Sequence, residues 1–203
     1  GLNPKTLILP AGGIPSSNAS NSPAQDCFAY DQAWGGREDL TAELQAQLQS
    51  SCRLMLIAGI AGVGKTALAE LLTLRLQAVP PQFQLLRETF DTEEQPPDWS
   101  SIAARLLEKC SQSVSAEDRA DAERLTHRLV QHLAQTQTLL LFDSLEALLQ
   151  GNSDIGWSRF NDPQILSFFR QVLTSDTFRS RILLTSQDLP PELAQIGSDY
   201  PNF

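Results

Sequence analysis

The chain has 203 residues, 41% apolar and 19% charged, which suits one globular domain with a core of its own. No stretch approaches the roughly 18 uninterrupted apolar residues of a membrane span, and the first residues lack the pattern of a signal peptide. A net charge of −9 argues against a domain that grips the DNA backbone unaided, since such domains show a basic face. We therefore expect no membrane insertion and no direct nucleic-acid contact by this chain.

The cysteines indicate the cellular compartment of the protein, and the methionine indicates whether the chain is part of a longer protein. Cys27, Cys52 and Cys110 are scattered without a CxxC spacing. Such an odd set indicates reduced thiols rather than a disulfide framework, so we expect a cytoplasmic protein. Because Met55 is the only methionine, we also expect the chain to be a fragment of a longer protein.

The N-terminal residues differ in composition from the rest of the chain. Residues 1–33 are rich in Pro, Gly, Ser and Asn, which is typical of a linker or an extended arm rather than a core element. We expect the folded domain to occupy residues 34–203. It opens with a helix predicted over about 37–50, because Leu40, Leu44 and Leu48 form one apolar stripe.

Strands and helices are then predicted in alternation. Short apolar runs predict buried strands over 53–58, 138–142 and 181–186. Weaker patterning predicts one more strand over 83–90. Helices are predicted over 66–77, which is dense in Ala and Leu, over 99–110, over 116–134, which carries many surface charges, and over 163–173, with Pro163 near its first turn. A loop bearing glycine and asparagine is predicted at 151–156. The alternation indicates an α/β fold with a parallel sheet covered by helices on both faces.

A phosphate-binding pattern lies between the first predicted strand and the next helix. Residues 59–66 match GxxxxGK(S/T), whose glycines allow backbone N–H groups to turn inward around phosphate oxygens. The helix that follows adds its positive N-terminus. Lys65 is expected to neutralise the β- and γ-phosphates and the Thr66 hydroxyl to ligate Mg²⁺. The residues expected to contact the nucleotide are Gly59, Ala61, Gly62, Val63, Gly64, Lys65, Thr66 and Ala67.

A phosphate loop needs an acid at the end of a nearby strand to hold Mg²⁺. Asp143 ends the apolar run at 138–142 and is the best candidate. It is also a candidate helix N-cap, with Glu146 completing a capping box, and the two roles are compatible. The separation between Lys65 and Asp143 leaves room for an extra strand between them, as in additional-strand ATPases.

Hydrolysis needs a group that activates the attacking water. The acid that often follows the magnesium acid is absent, because position 144 is Ser144. Glu146 is the nearest replacement, and it could equally be a solvated residue of a first helical turn. The candidate catalytic residues are therefore Lys65, Asp143 and Glu146.

Three further segments, taken in their order along the chain, resemble the STAND class of signal-transduction ATPases, and most closely its NB-ARC branch of bacterial type. Residues 34–40 (WGGREDL) resemble its entry motif, residues 140–146 (LLFDSLE) its acidic strand, and residues 180–187 (SRILLTSQ) its sensor 1 strand. The resemblance implies a three-layer, AAA-like P-loop fold that binds ATP or ADP with Mg²⁺. It also implies that Arg37 lies near the nucleotide, with the stretch 34–37 on the adenine side.

Such proteins act as switches in which ADP holds a closed monomer and ATP permits self-association. The resemblance therefore implies contacts with other domains of a parent chain, and Phe203 would precede the helical and winged-helix subdomains. The family usually has an arginine that senses the γ-phosphate where Gln187 stands, and Arg181 is a possible substitute. The second hydrophobic position of the entry motif is Gly35.

Two other functions remain open on the sequence. A nucleotide-binding scaffold without hydrolysis is suggested by Ser144 and Gln187. A small-molecule kinase would need an arginine-rich lid, which arginines in the predicted helix 116–134 could imitate. A GTPase is disfavoured, because no lysine of the chain lies in the (N/T)KxD segment that selects guanine.

Overall fold

The fold is built on a parallel β-sheet, seen in a computed structural model that describes residues 6–8, 38–80, 82–90, 96–152, 156–200 and 203. Its strands pair in the order β1-β2-β7-β4-β3, and a separate hairpin pairs β5 with β6. The bounds are β1 Thr6–Ile8, β2 Leu54–Ala58, β3 Gln84–Thr89, β4 Thr138–Asp143, β5 Leu149–Asn152, β6 Gly156–Phe160 and β7 Arg181–Ser186.

The strand order confirms the predicted fold class. Strand β7 lies between β2, which precedes the phosphate loop, and β4, which ends at Asp143. All neighbouring strands of this sheet pair in parallel. The carboxyl ends of β2, β4 and β7 therefore meet at one edge, where ligands bind in open α/β sheets.

Helices cover both faces of the sheet. The helices are α1 Glu38–Gln49, α2 Lys65–Ala78, α3 Trp99–Lys109, α4 Ala116–Arg119, α5 Ala122–Gln135, α6 Pro163–Thr174 and α7 Pro191–Asp199. Successive residues of β4 lie on opposite faces of the sheet, and so separate a core on each face. Leu139 and Leu141 pack in the core formed with α1 and α2. Leu140 and Phe142 pack in the larger core of the opposite face, with α3, α5, α6 and α7.

Aromatic packing fixes the end of β4. Phe142, the residue before Asp143, lies 5.5 Å from Phe90, 6.4 Å from Phe168 and 6.5 Å from Phe169 between ring centroids. Ring pairs at this spacing add stability beyond the area they bury. The packing of Phe142 among these three rings therefore anchors the backbone immediately before Asp143, at the edge of the sheet.

The predicted helix over 116–134 is two helices. Ser115 caps α4 in a capping box with Asp118, and Asp121 caps α5 by accepting a bond from the Arg124 N–H. Ser and Asp side chains bond to backbone N–H groups and so begin helices, and Asp121 therefore starts a second helix within the predicted one.

Two segments expected to be irregular contain strands. Of the predicted loop at 151–156, residues 151, 152 and 156 belong to the antiparallel hairpin β5–β6, and residues 153–155 lie outside the described ranges. Gly151, at φ 127, accompanies a register shift in that hairpin. Within the arm predicted at 1–33, Thr6–Ile8 pairs with β2 as an edge strand of the main sheet.

Candidate nucleotide-binding site

The phosphate loop connects the end of β2 to the first residue of α2. Gly62 and Gly64 have φ values of 78 and 91, which only glycine adopts without strain. Gly64 is the N-cap of α2 and provides no side-chain cap bond, so the helix start keeps N–H groups for a ligand. A side chain at Gly62 would meet no atom within 4 Å, so its glycine is required by the backbone angle and not by crowding.

The side chain of Lys65 is held beneath the loop. Its Nζ donates to the carbonyl oxygens of Gly59, at 2.7 Å, and Ile60, at 3.1 Å. Burial lowers the pKa of Lys65, and the negative charges of Glu146 and, secondly, Asp143 oppose that shift. Within the described residues this ammonium donates to two neutral carbonyls, and a charge-assisted bond to an anion would be stronger.

Asp143 is the centre of a polar cluster at the sheet edge. Its Oδ1 accepts hydrogen bonds from the Thr66 hydroxyl, at 2.9 Å, and the Thr185 hydroxyl, at 2.6 Å. Its Oδ2 accepts a bond from Arg87 at 2.8 Å. The structure thus brings together Thr66 and Asp143, the two residues expected on the magnesium side.

These oxygens fit a magnesium ion bound jointly with nucleotide. Hydroxyl and carboxylate oxygens are the ligands that Mg²⁺ prefers, and it usually completes its shell with water and phosphate oxygens. Among the described residues no group of three or more His, Cys, Asp or Glu side chains could hold a metal alone. Thr66 and Asp143 would accordingly hold the ion from one side only.

Asp143 does not cap the turn that follows it, so the predicted capping box is wrong. The 3₁₀ turn Leu145–Leu148 has Ser144 as its N-cap, with no side-chain cap bond. Ser144 lies in the left-handed region at φ 63, and its N–H donates to the Thr185 hydroxyl at 3.0 Å. Capping fails because both Asp143 oxygens are bound within the cluster and the chain turns back toward β7.

That turn places Glu146 in the site instead of in solvent. The Glu146 residue is 9% exposed, and its Oε2 accepts a bond from the backbone N–H of Gln187 at 3.1 Å. Its charge acts on Lys65 more strongly than that of Asp143. The left-handed Ser144 therefore allows an acid three residues beyond Asp143 to lie close to the phosphate loop.

Arg181 lies at the far end of the sheet. Arg181 is the first residue of β7, and Ser186, five residues later and roughly 16 Å away along the strand, is the last. Ser186 pairs with Ala58 at the end of β2, where the phosphate loop begins. Its guanidinium donates to the carbonyls of Leu48, at 2.6 Å, and Ser50, at 2.7 Å, at the C-terminus of α1. The suggestion that Arg181 senses the γ-phosphate is wrong, because this side chain caps a helix.

Arg87 is a site residue that the sequence analysis missed. From β3 it donates to Asp143, to Glu70 at 2.6 Å and to Thr89 at 3.2 Å. Burial lowers the pKa of Arg87, but its bonds and charge interactions with Glu70 and Asp143 outweigh burial and raise it overall. Only the strand order could have revealed it, since β3 and β4 must be paired before Arg87 is placed beside Asp143.

The predictions for residues 34–37 cannot be placed on this site. Arg37 and the rest of that stretch lie outside the described residues, so their proximity to the nucleotide stays a prediction.

None of the helices in the described ranges has the length and apolar character needed to span a membrane.

A family model described as an AAA domain (AAA_22) matches residues 45–188. No curated protein matches the chain significantly. Among solved structures, the chain is similar to the Aeropyrum pernix ORC2 protein in its ADPNP–ADP complexes, with a TM-score of 0.54 and 16% identity, over 75% of this chain and 41% of that one. The ADP form of that protein gives a TM-score of 0.53 and 17% identity, over 80% of this chain and 45% of that one.

The likeness extends to a eukaryotic assembly. Drosophila ORC bound to DNA gives a TM-score of 0.50 and 16% identity, over 86% of this chain and 47% of that one. At such identities the likeness concerns the fold alone. The chain spans less than half the length of each of these structures.

Proposed function

This chain belongs to the AAA domain family, and on that premise we propose that it is a regulatory switch that binds ATP or ADP with Mg²⁺ and hydrolyses ATP slowly. The observation that carries the proposal is the contact between Thr66, at the start of α2, and Asp143, at the end of β4. It joins the phosphate loop to a strand-end acid, as metal-assisted phosphoryl chemistry requires. Mg²⁺, when bound, would neutralise charge on the phosphates.

The STAND and NB-ARC character remains part of this proposal. It is supported by the order of the entry, acidic and sensor segments along the chain. On this basis the protein serves signal transduction, contacts other domains of a parent chain and self-associates when ATP is bound. The absence of direct DNA contact also stays a prediction, argued from the net charge of −9, although the similar Drosophila ORC assembly was solved bound to DNA.

A kinase function loses its main support. The arginines that could imitate a lid lie on two helices, and Arg124 and Arg128 pair with Asp118 at 3.0 and 2.6 Å. Arg119 pairs with Glu108. A scaffold without hydrolysis is the second candidate, favoured by Ser144 in the position of the usual second acid.

Turnover separates these candidates, and we expect it to be slow but measurable. Phosphate release at saturating Mg-ATP should fall far below the roughly 10 s⁻¹ median of enzymes. The reasons are the missing acid after Asp143 and the replacement of the sensor arginine by Gln187. Turnover of several per second, lost on Lys65→Ala, would contradict the switch; undetectable turnover would favour the scaffold.

The same assay tests Glu146 as the water-activating group. Glu146→Gln can keep its bond to Gln187 while removing the charge, and we expect about tenfold or greater loss of turnover. Glu117→Gln, on an exposed position of α4, is the control and should have no effect. An unchanged rate in Glu146→Gln would restrict this residue to holding Gln187.

Nucleotide preference is a separate expectation. ATP should bind more tightly than GTP, because no lysine of the chain belongs to a guanine-selecting segment. Competition of the two triphosphates against one fluorescent nucleotide measures the ratio directly. Tighter binding of GTP would contradict the adenine preference while leaving the phosphate site intact.

A further inference from the structure

A guanidinium lies on the acid that is expected to face Mg²⁺. Arg87 bridges two carboxylates, with one nitrogen 2.8 Å from Asp143 Oδ2 and the other 2.6 Å from Glu70 Oε1. We propose that Arg87 is an internal counter-ion that occupies Asp143 until Mg²⁺ arrives with nucleotide, and then remains with Glu70 alone. This inference rests on the proposed function, because it assigns a competitor to the metal of that same site.

The two oxygens of Asp143 are used differently. Oδ1 accepts from two neutral hydroxyls, those of Thr66 and Thr185, whereas Oδ2 accepts from the cationic Arg87. Arg87 on Oδ2 and a metal ion on the Oδ1 side, next to Thr66, would be two cations on one carboxylate, so each weakens the binding of the other by charge repulsion. Arg87 and Mg²⁺ therefore compete for the same negative charge.

The geometry also gives Arg87 a second partner. Its side chain is 38% exposed, whereas that of Asp143 is only 4% exposed. Arg87 can therefore move into solvent when it leaves Asp143, and Mg²⁺ would replace it as the cationic partner of the buried carboxylate, so that no buried charge is left unpaired. Glu70 lies four residues after Thr66 on α2, so Arg87 keeps an acidic partner when it leaves Asp143.

Competition of this kind weakens metal binding by a predictable factor. A binding site that is free for a fraction of the time has its affinity reduced by that fraction. If Arg87 occupies Asp143 for about nine-tenths of the time, the Mg²⁺ concentration needed for half-maximal effect rises about tenfold. The chain would therefore respond to Mg-nucleotide less readily than the bare cluster of oxygens.

The test is a magnesium titration of nucleotide binding. A fluorescent, non-hydrolysable ATP analogue is held at fixed concentration, and its binding is followed as MgCl₂ is added at constant ionic strength. Arg87→Gln should lower the half-saturating Mg²⁺ concentration about tenfold. The matched control is Arg105→Gln, since Arg105 is 36% exposed and pairs with Glu88 of β3, and it should leave the titration unchanged.

Two more variants separate the bridge from charge alone. Arg87→Lys keeps the charge but loses the planar fork that joins two carboxylates, so it should shift the titration by less than Arg87→Gln does. Glu70→Gln removes the alternative partner, commits Arg87 to Asp143 and should raise the half-saturating Mg²⁺ concentration. If Arg87→Gln does not fold, Glu70→Gln still decides the matter, because an unchanged titration in that variant overturns the inference.

The inference is overturned if Arg87→Gln leaves the titration unchanged or if Arg105→Gln gives an equal shift. Binding of the analogue without added Mg²⁺ is the separate readout of the proposed function. A wild-type chain that binds no nucleotide at all refutes both. Nucleotide binding with identical magnesium titrations refutes only the counter-ion.

Discussion

Replacing Lys65 with alanine is expected to abolish measurable nucleotide binding. Lys65 is the only lysine within the phosphate loop, and its ammonium lies 2.7 Å from the Gly59 carbonyl of that loop. A charge-assisted bond to each of two phosphates contributes several kcal/mol, so the loss should be about 100-fold or more in Kd. Calorimetric titration with ATP and with ADP measures it.

The control for Lys65→Ala is Lys109→Ala. Lys109 pairs with Glu88 at 2.6 Å on the far side of β3, so its loss removes an equal charge without touching the loop. We expect its Kd to be unchanged. Thermal melting of both variants without nucleotide shows whether each remains folded. An unchanged Kd in a folded Lys65→Ala protein would remove residues 59–66 from the nucleotide site.

Replacing Asp143 with alanine should leave nucleotide binding but remove its dependence on magnesium. In the wild type we expect Mg²⁺ to tighten ATP binding, because Asp143 and Thr66 are positioned to hold the ion together. In Asp143→Ala the ratio of Kd values with and without Mg²⁺ should approach one. Any ATP turnover should fall about 100-fold or more, as on loss of other groups that stabilise transition-state charge.

Glu88→Ala is the matched control. Glu88, on β3, is also a buried acid, and it has two cationic partners, Arg105 and Lys109 of α3. It should destabilise the fold while preserving the effect of Mg²⁺ on nucleotide affinity. If Mg²⁺ tightens ATP binding equally in Asp143→Ala and the wild type, Asp143 does not lie on the metal side. That result would also remove the basis for a competing role of Arg87.

The sequence predicted the central strands well because their physics is local. Strands β2 and β4 are buried throughout, so each is a continuous apolar run with a polar residue or glycine at its end. The hairpin β5–β6 was missed because Gln150, Gly151 and Asn152 show neither an apolar run nor alternation. The break between α4 and α5 was missed because residues 116–121 (AEDRAD) contain no glycine or proline to mark it.

The site was predictable only where motif and position coincide. The loop at 59–66 and Asp143 follow from pattern and strand end, but the environment of Asp143 depends on which strands are neighbours. Arg87 and Thr185 come from two different strands that flank β4, and no spacing along the chain links them to Asp143. The capping box failed for the same reason, because tertiary partners outcompeted a local one.

The hydrogen bond between Glu146 and Gln187 has a consequence for communication across the molecule. Gln187 directly follows β7, and the chain then enters α7, whose Leu193 and Ile196 lie in the larger core. A nucleotide state that turned Glu146 Oε2 away from β7 would leave the Gln187 N–H without this acceptor. On the proposed function, the backbone amide that leads into α7 is then the point at which a change in the phosphates would reach that helix.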